Sequence, residues 1–319
     1  MQKSPSHKTK QFLALSIKLF IVIGCGYFMY SKLTVNSQLS ISDLYSKSTH
    51  TFFFSLKNLF LLSIFSIVNW CLEITKWQTL VSFFKKISYK TAIIQSLAAL
   101  TVSLITPNRI GEYGAKAIYF EKPVRKKVLV LNLVGNLFQL LATLVFGLIG
   151  ISFFLFNFNI DIPIKSTFLV IGFTLLLLFC VWYIYKKGGS FNGHSLKSLI
   201  NFIIKIPNSL STKIGLYSAI RYLVFSHQFY FLLVLFDVDI LYIEAILAIF
   251  TMYLLASIIP MLTLFDVVIK GSIAIWIFSF FNCNEAVILS VVLIMWIFNF
   301  VLPSIVGSYF VLTFKSDKL

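Results

Sequence analysis

The residues of this chain with the clearest chemical potential lie in one short segment, from Leu104 to Lys116, directly after an apolar run. Arg109 is suited to bind a phosphate, because its guanidinium offers several donors in a planar fork. Glu112 and Lys116 are four residues apart, so they can pair on one face of a helix. The segment therefore predicts a place where a polar ligand is held.

The same segment is predicted to break the helix that carries it. Pro107 removes a backbone donor and disfavours helix at the residue before it. Gly111 and Gly114 permit unusual backbone angles or close approach of another segment. We expect an apolar half-helix to end at Pro107 and a second helix to begin near Glu112. Broken backbone at membrane depth is tolerated only inside protein or beside water.

A second segment repeats this order of residues. Pro260 ends an apolar run, Asp266 follows six residues later, and Lys270 comes four residues after the acid. The two prolines are 153 residues apart, almost half of the chain. Broken segments at matching positions of two halves predict a duplicated fold with its site between the repeats. The alternative is that both segments are turns at the membrane edge, with Arg109 and Lys116 acting only as orientation anchors.

Polar side chains also recur at helical spacing in two long apolar runs. Glu73 lies between Asn69 and Lys76 in the first run. The residues that share this spacing in the second run are Asn132, Asn136, Gln139 and Thr143. Such stripes are expected to face the interior of a helix bundle. They serve either in hydrogen bonds between helices or in lining a path for a lipid head group.

Four further positions carry simpler expectations. Arg125 lies in a basic cluster that suits anionic phospholipid, although orientation alone would also require such a cluster. Arg221 is expected to extend towards the membrane surface. Trp70 and Trp77, near the end of an apolar run, are interpreted as interfacial anchors.

The composition of the chain indicates whether its surroundings are water or lipid. Hydrophobic residues make up 59% of its 319 residues and charged residues only 12%, with a mean hydropathy of +0.91. A soluble domain is about 25% charged, so lipid is the expected surrounding. The apolar residues form long runs, which indicates an all-α polytopic bundle and not a β-barrel. The charge of +16 is assigned to positive-inside loops and anionic lipid, because no nucleic-acid-binding pattern accompanies it.

The runs organise the chain into one transmembrane domain, residues 12–313, between a basic N-terminus at 1–11 and a tail at 314–319. Seven runs are long enough to span a bilayer: 12–31, 52–75, 128–156, 166–185, 217–236, 240–259 and 286–313. Two shorter runs, 91–106 and 267–281, are predicted to be broken or re-entrant. A linker at 187–213, interpreted as an amphipathic surface helix or a plain loop, joins halves at about 12–186 and 214–313.

The distribution of charge and the motif content of the sequence limit the possible functions. Basic residues concentrate on one set of loops, which predicts a multi-pass protein of the cell (inner) membrane with a cytoplasmic N-terminus retained as an anchor. The side on which the C-terminus lies stays open. The sequence contains no recognised catalytic motif and no metal-ligand spacing, and its four cysteines form no CxxC pair. No catalytic residue, metal or cofactor is therefore expected.

From Pro107 to Glu112 the sequence resembles the lysylphosphatidylglycerol synthase transmembrane-region family, a flippase-like membrane domain. The resemblance covers residues 12–313 and implies that Arg109, Gly111 and Glu112 belong to a translocation or head-group site. Two features depart from the family. Residues 261–265 replace a glycine-rich turn, and the soluble aminoacyl-transferase domain is missing, so synthase activity is not expected.

The resulting expectation is a protein that binds and translocates an anionic phospholipid or a lipid-linked head group. One alternative is an intramembrane lipid-modifying enzyme that uses Glu112 or His227 as a base, although a lone histidine more often packs or forms hydrogen bonds. Another is a non-transporting partner of a separate envelope enzyme. No nucleic acid is expected as a partner, and the sequence leaves the oligomeric state open.

Overall fold

A computed structural model describes residues 55–104, 106, 109–158, 190–191, 194–195, 202–259 and 266–314. These residues are almost entirely helical. The helices are α1 Leu56–Val81, α2 Tyr89–Leu104, α3 Ile110–Ile118, α4 Arg125–Asn157, α5 Asn208–Leu235, α6 Tyr242–Ile258, α7 Asp266–Ser279, α8 Glu285–Trp296 and α9 Leu302–Leu312. A 3-10 turn, Lys122–Val124, precedes α4, and a π-helical turn, Ile297–Val301, joins α8 to α9. Two short antiparallel strands, β1 Ser190–Phe191 and β2 His194–Ser195, complete the described elements.

Four helices are long and apolar enough to cross a membrane. They are Leu56–Val81, Lys122–Asn157, Asn208–Leu235 and Glu285–Leu312. Their lengths of 26 to 36 residues exceed the roughly 20 residues that a bilayer core requires. The prediction of an all-α bundle of membrane-spanning type is therefore confirmed, and these helices overlap the runs predicted at 52–75, 128–156, 217–236 and 286–313.

The total number of spans stays a prediction. The run at 240–259 forms α6, which at 17 residues is shorter than a typical spanning helix. The runs at 12–31 and 166–185 lie outside the described residues, as does the tail from residue 315. Helix α5 begins at Asn208, inside the predicted 187–213 linker. The amphipathic helix expected there falls mostly on residues that the structure does not describe.

Helices α2 and α3 form the first broken hairpin. Helix α2 ends at Leu104 and α3 begins at Ile110, so the predicted break is confirmed. Arg109 adopts a left-handed backbone with φ of 57° immediately before α3. Such a conformation is uncommon for a residue with a side chain. Pro107, to which the sequence attributes the break, lies outside the described residues.

Helices α6 and α7 form the second broken hairpin. Helix α6 ends at Ile258, where Ile259 turns to an extended backbone, and α7 begins at Asp266. This break also lies where the sequence predicted it, while Pro260 itself is not among the described residues. The two hairpins have a similar first arm, of 16 residues in α2 and 17 in α6.

The long helix α4 relates the two hairpins. Its 33 residues extend about 50 Å at 1.5 Å per residue. At its start, the Arg125 Nε donates to the Phe120 carbonyl just after α3, at 2.9 Å. At its end, the Phe154 ring packs against Phe280 and Phe281 just after α7, with centroids 5.8 Å apart. The bases of the two hairpins therefore lie at opposite ends of α4.

The packing partners of the helices also occur in matching pairs. Helix α1 packs against α5, α2 packs against α9, and α6 packs against α4. In chain order, one half consists of α1, the first hairpin and α4. The other half consists of α5, the second hairpin and the α8–α9 helix. On α4, Gly147 and Gly150 lie against Leu254 and Leu247 of α6. Because these pairs run in opposite sequence directions, α6 is antiparallel to α4.

Candidate functional site

A cavity of about 450 Å³ lies where the broken ends of the two hairpins meet. Arg109 lines it from the first hairpin, and Asp266 and Lys270 line it from the second. The stripe residues Asn136 and Gln139 of α4 line it as well. The structure therefore brings together these five residues, all singled out by the sequence, from three separate elements.

Arg109 is positioned by the turn between α2 and α3. Its Nη2 lies 3.5 Å from the Glu112 Oε2, and 38% of its side chain is exposed. The buried Nε has no hydrogen-bond partner among the described residues. Because Arg109 lines the cavity, its guanidinium can bind the oxygens of a phosphate or carboxylate there.

Glu112 and Lys116 form a buried ion pair behind Arg109. The Lys116 Nζ donates to the Glu112 Oε1 and to the Asn132 Oδ1, both at 2.8 Å, and lies 4.4 Å from the Trp77 ring centroid. This confirms the predicted pairing of Glu112 with Lys116. Glu112, Lys116 and Asn132 do not line the cavity. Their contribution is to stabilise the first hairpin and the position of Arg109.

A second buried group joins α1 to α5. The Glu73 Oε2 lies 2.7 Å from the Lys76 Nζ and 3.0 Å from the Arg221 Nη1. The same Arg221 Nη1 donates to the Gln139 Oε1 at 3.2 Å. The expectation that Arg221 extends to the membrane surface is therefore wrong. A carboxylate on the facing helix holds it in the cavity wall, with its Nε unpaired among the described residues.

The second hairpin contributes an ion pair surrounded by aromatic rings. The Lys270 Nζ lies 2.6 Å from the Asp266 Oδ2, at the same i,i+4 spacing as the pair on α3. It also lies 5.4 to 5.9 Å from the ring centroids of Phe225, Tyr253 and Phe300. Both side chains of the pair remain partly exposed to the cavity, at 27% for Asp266 and 21% for Lys270.

The ionic side chains in and directly behind the cavity carry a net positive charge. The basic members are Arg109, Arg221, Lys76, Lys116 and Lys270, and the acidic members are Glu73, Glu112 and Asp266. Five positive and three negative charges give a formal sum of +2 over these described residues. Uncompensated charge within a helix bundle is costly, so the site favours an anion.

The first hairpin closes through contact between backbone segments at Gly111. Its amide donates to the Thr106 Oγ1 at 2.9 Å. A Cβ placed on Gly111 would lie 2.7 Å from both that oxygen and the Val102 carbonyl oxygen. The predicted close approach is therefore confirmed at Gly111. Gly114 has no atom within 4 Å of such a Cβ, so its lack of a side chain is not required by packing.

Replacing Gly111 by alanine is expected to open the hairpin turn and to displace Arg109. The added methyl group overlaps a backbone carbonyl that cannot rotate away, and overpacking of this kind typically costs about 1–3 kcal/mol. Gly114→Ala is the matched control, because alanine in an open helical position stabilises by about 0.5–1 kcal/mol. Unfolding in mixed detergent micelles would compare the two variants, and equal stabilities would contradict the close approach.

An asparagine in the π-helical turn, which the sequence interpretation missed, links three helices beside the cavity. The Asn299 Oδ1 accepts from the Asn69 Nδ2 at 3.0 Å, and its Nδ2 donates to the Gln228 Oε1 at 2.9 Å. The Trp70 Nε1 donates to the Asn299 carbonyl at 3.1 Å. Pro303, four residues later, has no amide hydrogen for that carbonyl. This proline and an amide side chain within an apolar run were the available sequence signals.

Several other expectations concern two tryptophans, Arg125 and His227. Trp70 and Trp77 are not interfacial anchors, because both are buried and donate hydrogen bonds inside the bundle. Arg125 donates to a loop carbonyl at the start of α4 and does not line the cavity. His227 does not line it either. Its ring nitrogens contact the Leu223 carbonyl and the Tyr242 hydroxyl, each at 2.8 Å.

No protein-family model matches this chain, and no curated protein matches it significantly. Among the described residues, no group of three or more His, Cys, Asp or Glu side chains could hold a metal ion. The residues that are assembled offer cationic donors, one paired carboxylate and aromatic walls, a set suited to binding an anionic group of moderate size.

Proposed function

We propose that this protein binds the anionic head group of a membrane lipid between its two broken hairpins and moves it from one leaflet to the other. The observation that carries the proposal is the pair of arginines in the cavity wall. Arg109 and Arg221 each have one buried nitrogen without a partner among the described residues. A phosphate oxygen would supply the missing acceptor and offset the excess positive charge.

The proposed movement between leaflets rests on the arrangement of the hairpins. Their bases lie at opposite ends of α4, while their broken ends meet at the cavity. Each hairpin therefore separates the cavity from a different end of the bundle. If the halves are repeats of inverted orientation, as the matching packing pairs support, rocking one hairpin at a time would open the cavity to each side in turn.

The motif resemblance to the flippase-like family adds support of a different kind, because it concerns the turn that carries Arg109. On this proposal the chain is a multi-pass protein of the cell membrane with its N-terminus in the cytoplasm. The enzyme alternative has weaker support. His227 lies outside the cavity, and Glu112 is already engaged by Lys116 and Arg109, so neither is free to act as a base at the head group.

The proposal is tested by reconstituting the full chain in liposomes that contain acyl-labelled phosphatidylglycerol. We expect faster loss of inner-leaflet label than in protein-free liposomes. Arg109→Gln should slow this movement about tenfold, since a charge-assisted hydrogen bond contributes about 1.5–3 kcal/mol. Labelled phosphatidylcholine is the lipid control, because its head group carries no net charge. If Arg109→Gln moves the anionic lipid at the wild-type rate, the assignment of the head-group site is wrong.

A further inference from the structure

A second, apolar groove lies on the other side of Trp70 from the charged cavity. It has a volume of about 340 Å³ and is formed by α1, α2 and the turn leading into α9. Its walls are mainly hydrocarbon and aromatic. Representative lining residues are Ile67, Cys71, Ile93, Leu97, Phe298 and Leu302.

Trp70 is shared by both spaces and separates them. It lines the cavity together with Phe300, and it lines the groove together with Phe298. The π-helical turn therefore presents one aromatic ring to each side. The Trp70 indole donates to the Asn299 carbonyl between these two residues, which holds the ring between the two spaces.

We infer that the groove receives a hydrocarbon chain of the same lipid whose head group lies in the cavity, with Trp70 as the portal between them. This inference rests on the proposed head-group site. The occupant is specified by the contrast between the two spaces, because a charged cavity with spare arginine donors and an apolar groove share one wall. A lipid has both properties in one molecule, and its head cannot enter the cavity unless its chain is accommodated nearby.

The inference is tested by quenching of tryptophan fluorescence with lipids whose acyl chains carry bromine. The chain has five tryptophans, so the signal of Trp70 is the difference between the wild type and Trp70→Phe. Purified full-length protein in detergent is titrated with brominated phosphatidylglycerol and with brominated phosphatidylcholine. We expect the anionic lipid to quench the Trp70 signal at a concentration about tenfold lower, because its head group is held by the arginines. Arg109→Gln should remove this difference.

A second measurement does not depend on substitution of Trp70. Cys71 in the groove is a free, exposed thiol. In a variant with Cys25, Cys180 and Cys283 replaced by serine, a bulky maleimide on Cys71 should weaken binding of phosphatidylglycerol about tenfold and leave binding of glycerol phosphate unchanged. The matched control adds Cys71→Ser and places the label at Leu141→Cys, a position on α4 that is exposed and outside the groove.

The outcomes separate this inference from the proposed function. Equal quenching of Trp70 by both lipids would mean that the groove only contacts bulk lipid. Selective binding of phosphatidylglycerol without quenching of Trp70, or with Cys71 inaccessible to the maleimide, would mean that the chain lies elsewhere or that another segment fills the groove. Either result overturns the inference and leaves the head-group site standing. Equal affinity for both lipids in competition binding would overturn the head-group site itself.

Discussion

Replacing Glu112 by glutamine is expected to lower the free energy of unfolding by about 3–5 kcal/mol, the largest effect on stability among single substitutions proposed for this protein. Glutamine has nearly the same shape, but it removes the only carboxylate in contact with Lys116 among the described residues. The Lys116 side chain is 2% exposed, so its ammonium would remain buried beside Asn132 and Trp77 without a carboxylate in contact with it.

The same reasoning predicts that a second substitution rescues the first. Removing the stranded charge with Lys116→Met in the Glu112→Gln background should recover most of the lost stability, because removing both partners avoids the uncompensated buried charge. Loss of the Glu112 carboxylate is expected to cost less at Arg109 than at Lys116, since the Arg109 side chain reaches the cavity. Glu121→Gln is the control, because Glu121 is exposed. Unfolding in mixed detergent micelles measures all four proteins, and a double variant as unstable as Glu112→Gln would contradict the ion-pair account.

Replacing both Arg109 and Arg221 by glutamine is expected to give the largest loss of lipid movement, about 100-fold or more. Each guanidinium is expected to contribute a charge-assisted interaction of about 1.5–3 kcal/mol to the bound anion, and the two approach the cavity from different segments, the turn before α3 and helix α5. The pair Arg109→Lys and Arg221→Lys should retain part of the activity, because lysine keeps the charge but loses the planar fork.

The double substitution also lowers the net charge by two, so it requires a control for charge alone. Lys122→Gln with Lys127→Gln removes two exposed positive charges away from the cavity. The liposome assay with labelled phosphatidylglycerol should distinguish the two pairs clearly. An equal loss of movement in both would attribute the effect to membrane-surface electrostatics and not to the cavity. Stability of each variant is measured in parallel, since Arg221 also pairs with Glu73.

Local features of the structure were largely predictable from sequence. The interruption after α2 and that after α6 lie at the two proline-containing segments, and the pairs Glu112–Lys116 and Asp266–Lys270 form at the i,i+4 spacing read from the chain. Each depends on residues within one or two helical turns. Backbone restriction by proline and the 3.6-residue helical repeat are local rules, so they can be applied without knowing which helices pack together.

Which face of each helix is buried in the bundle was less predictable from sequence. Arg221 and Trp77 were both expected at the membrane surface, and both are directed into the bundle by partners on other helices, Glu73 and Gln95. In helices that are apolar almost all round, hydrophobic periodicity gives little indication of which face is buried. The direction of a polar side chain is then set by its partner, and that partner lies on another helix.

Composition, apolar run length and local spacing were thus sufficient to predict an all-α protein of membrane-spanning type with two interrupted hairpins and the ion pair between Glu112 and Lys116. Only the tertiary structure placed Arg221 in the cavity that Arg109 and Asp266 share, and only it revealed Asn299 and Trp70 at the wall of that cavity. The reason is physical. Local rules govern how the backbone bends and which close neighbours pair, whereas a site shared by several helices depends on their packing across more than a hundred residues of sequence.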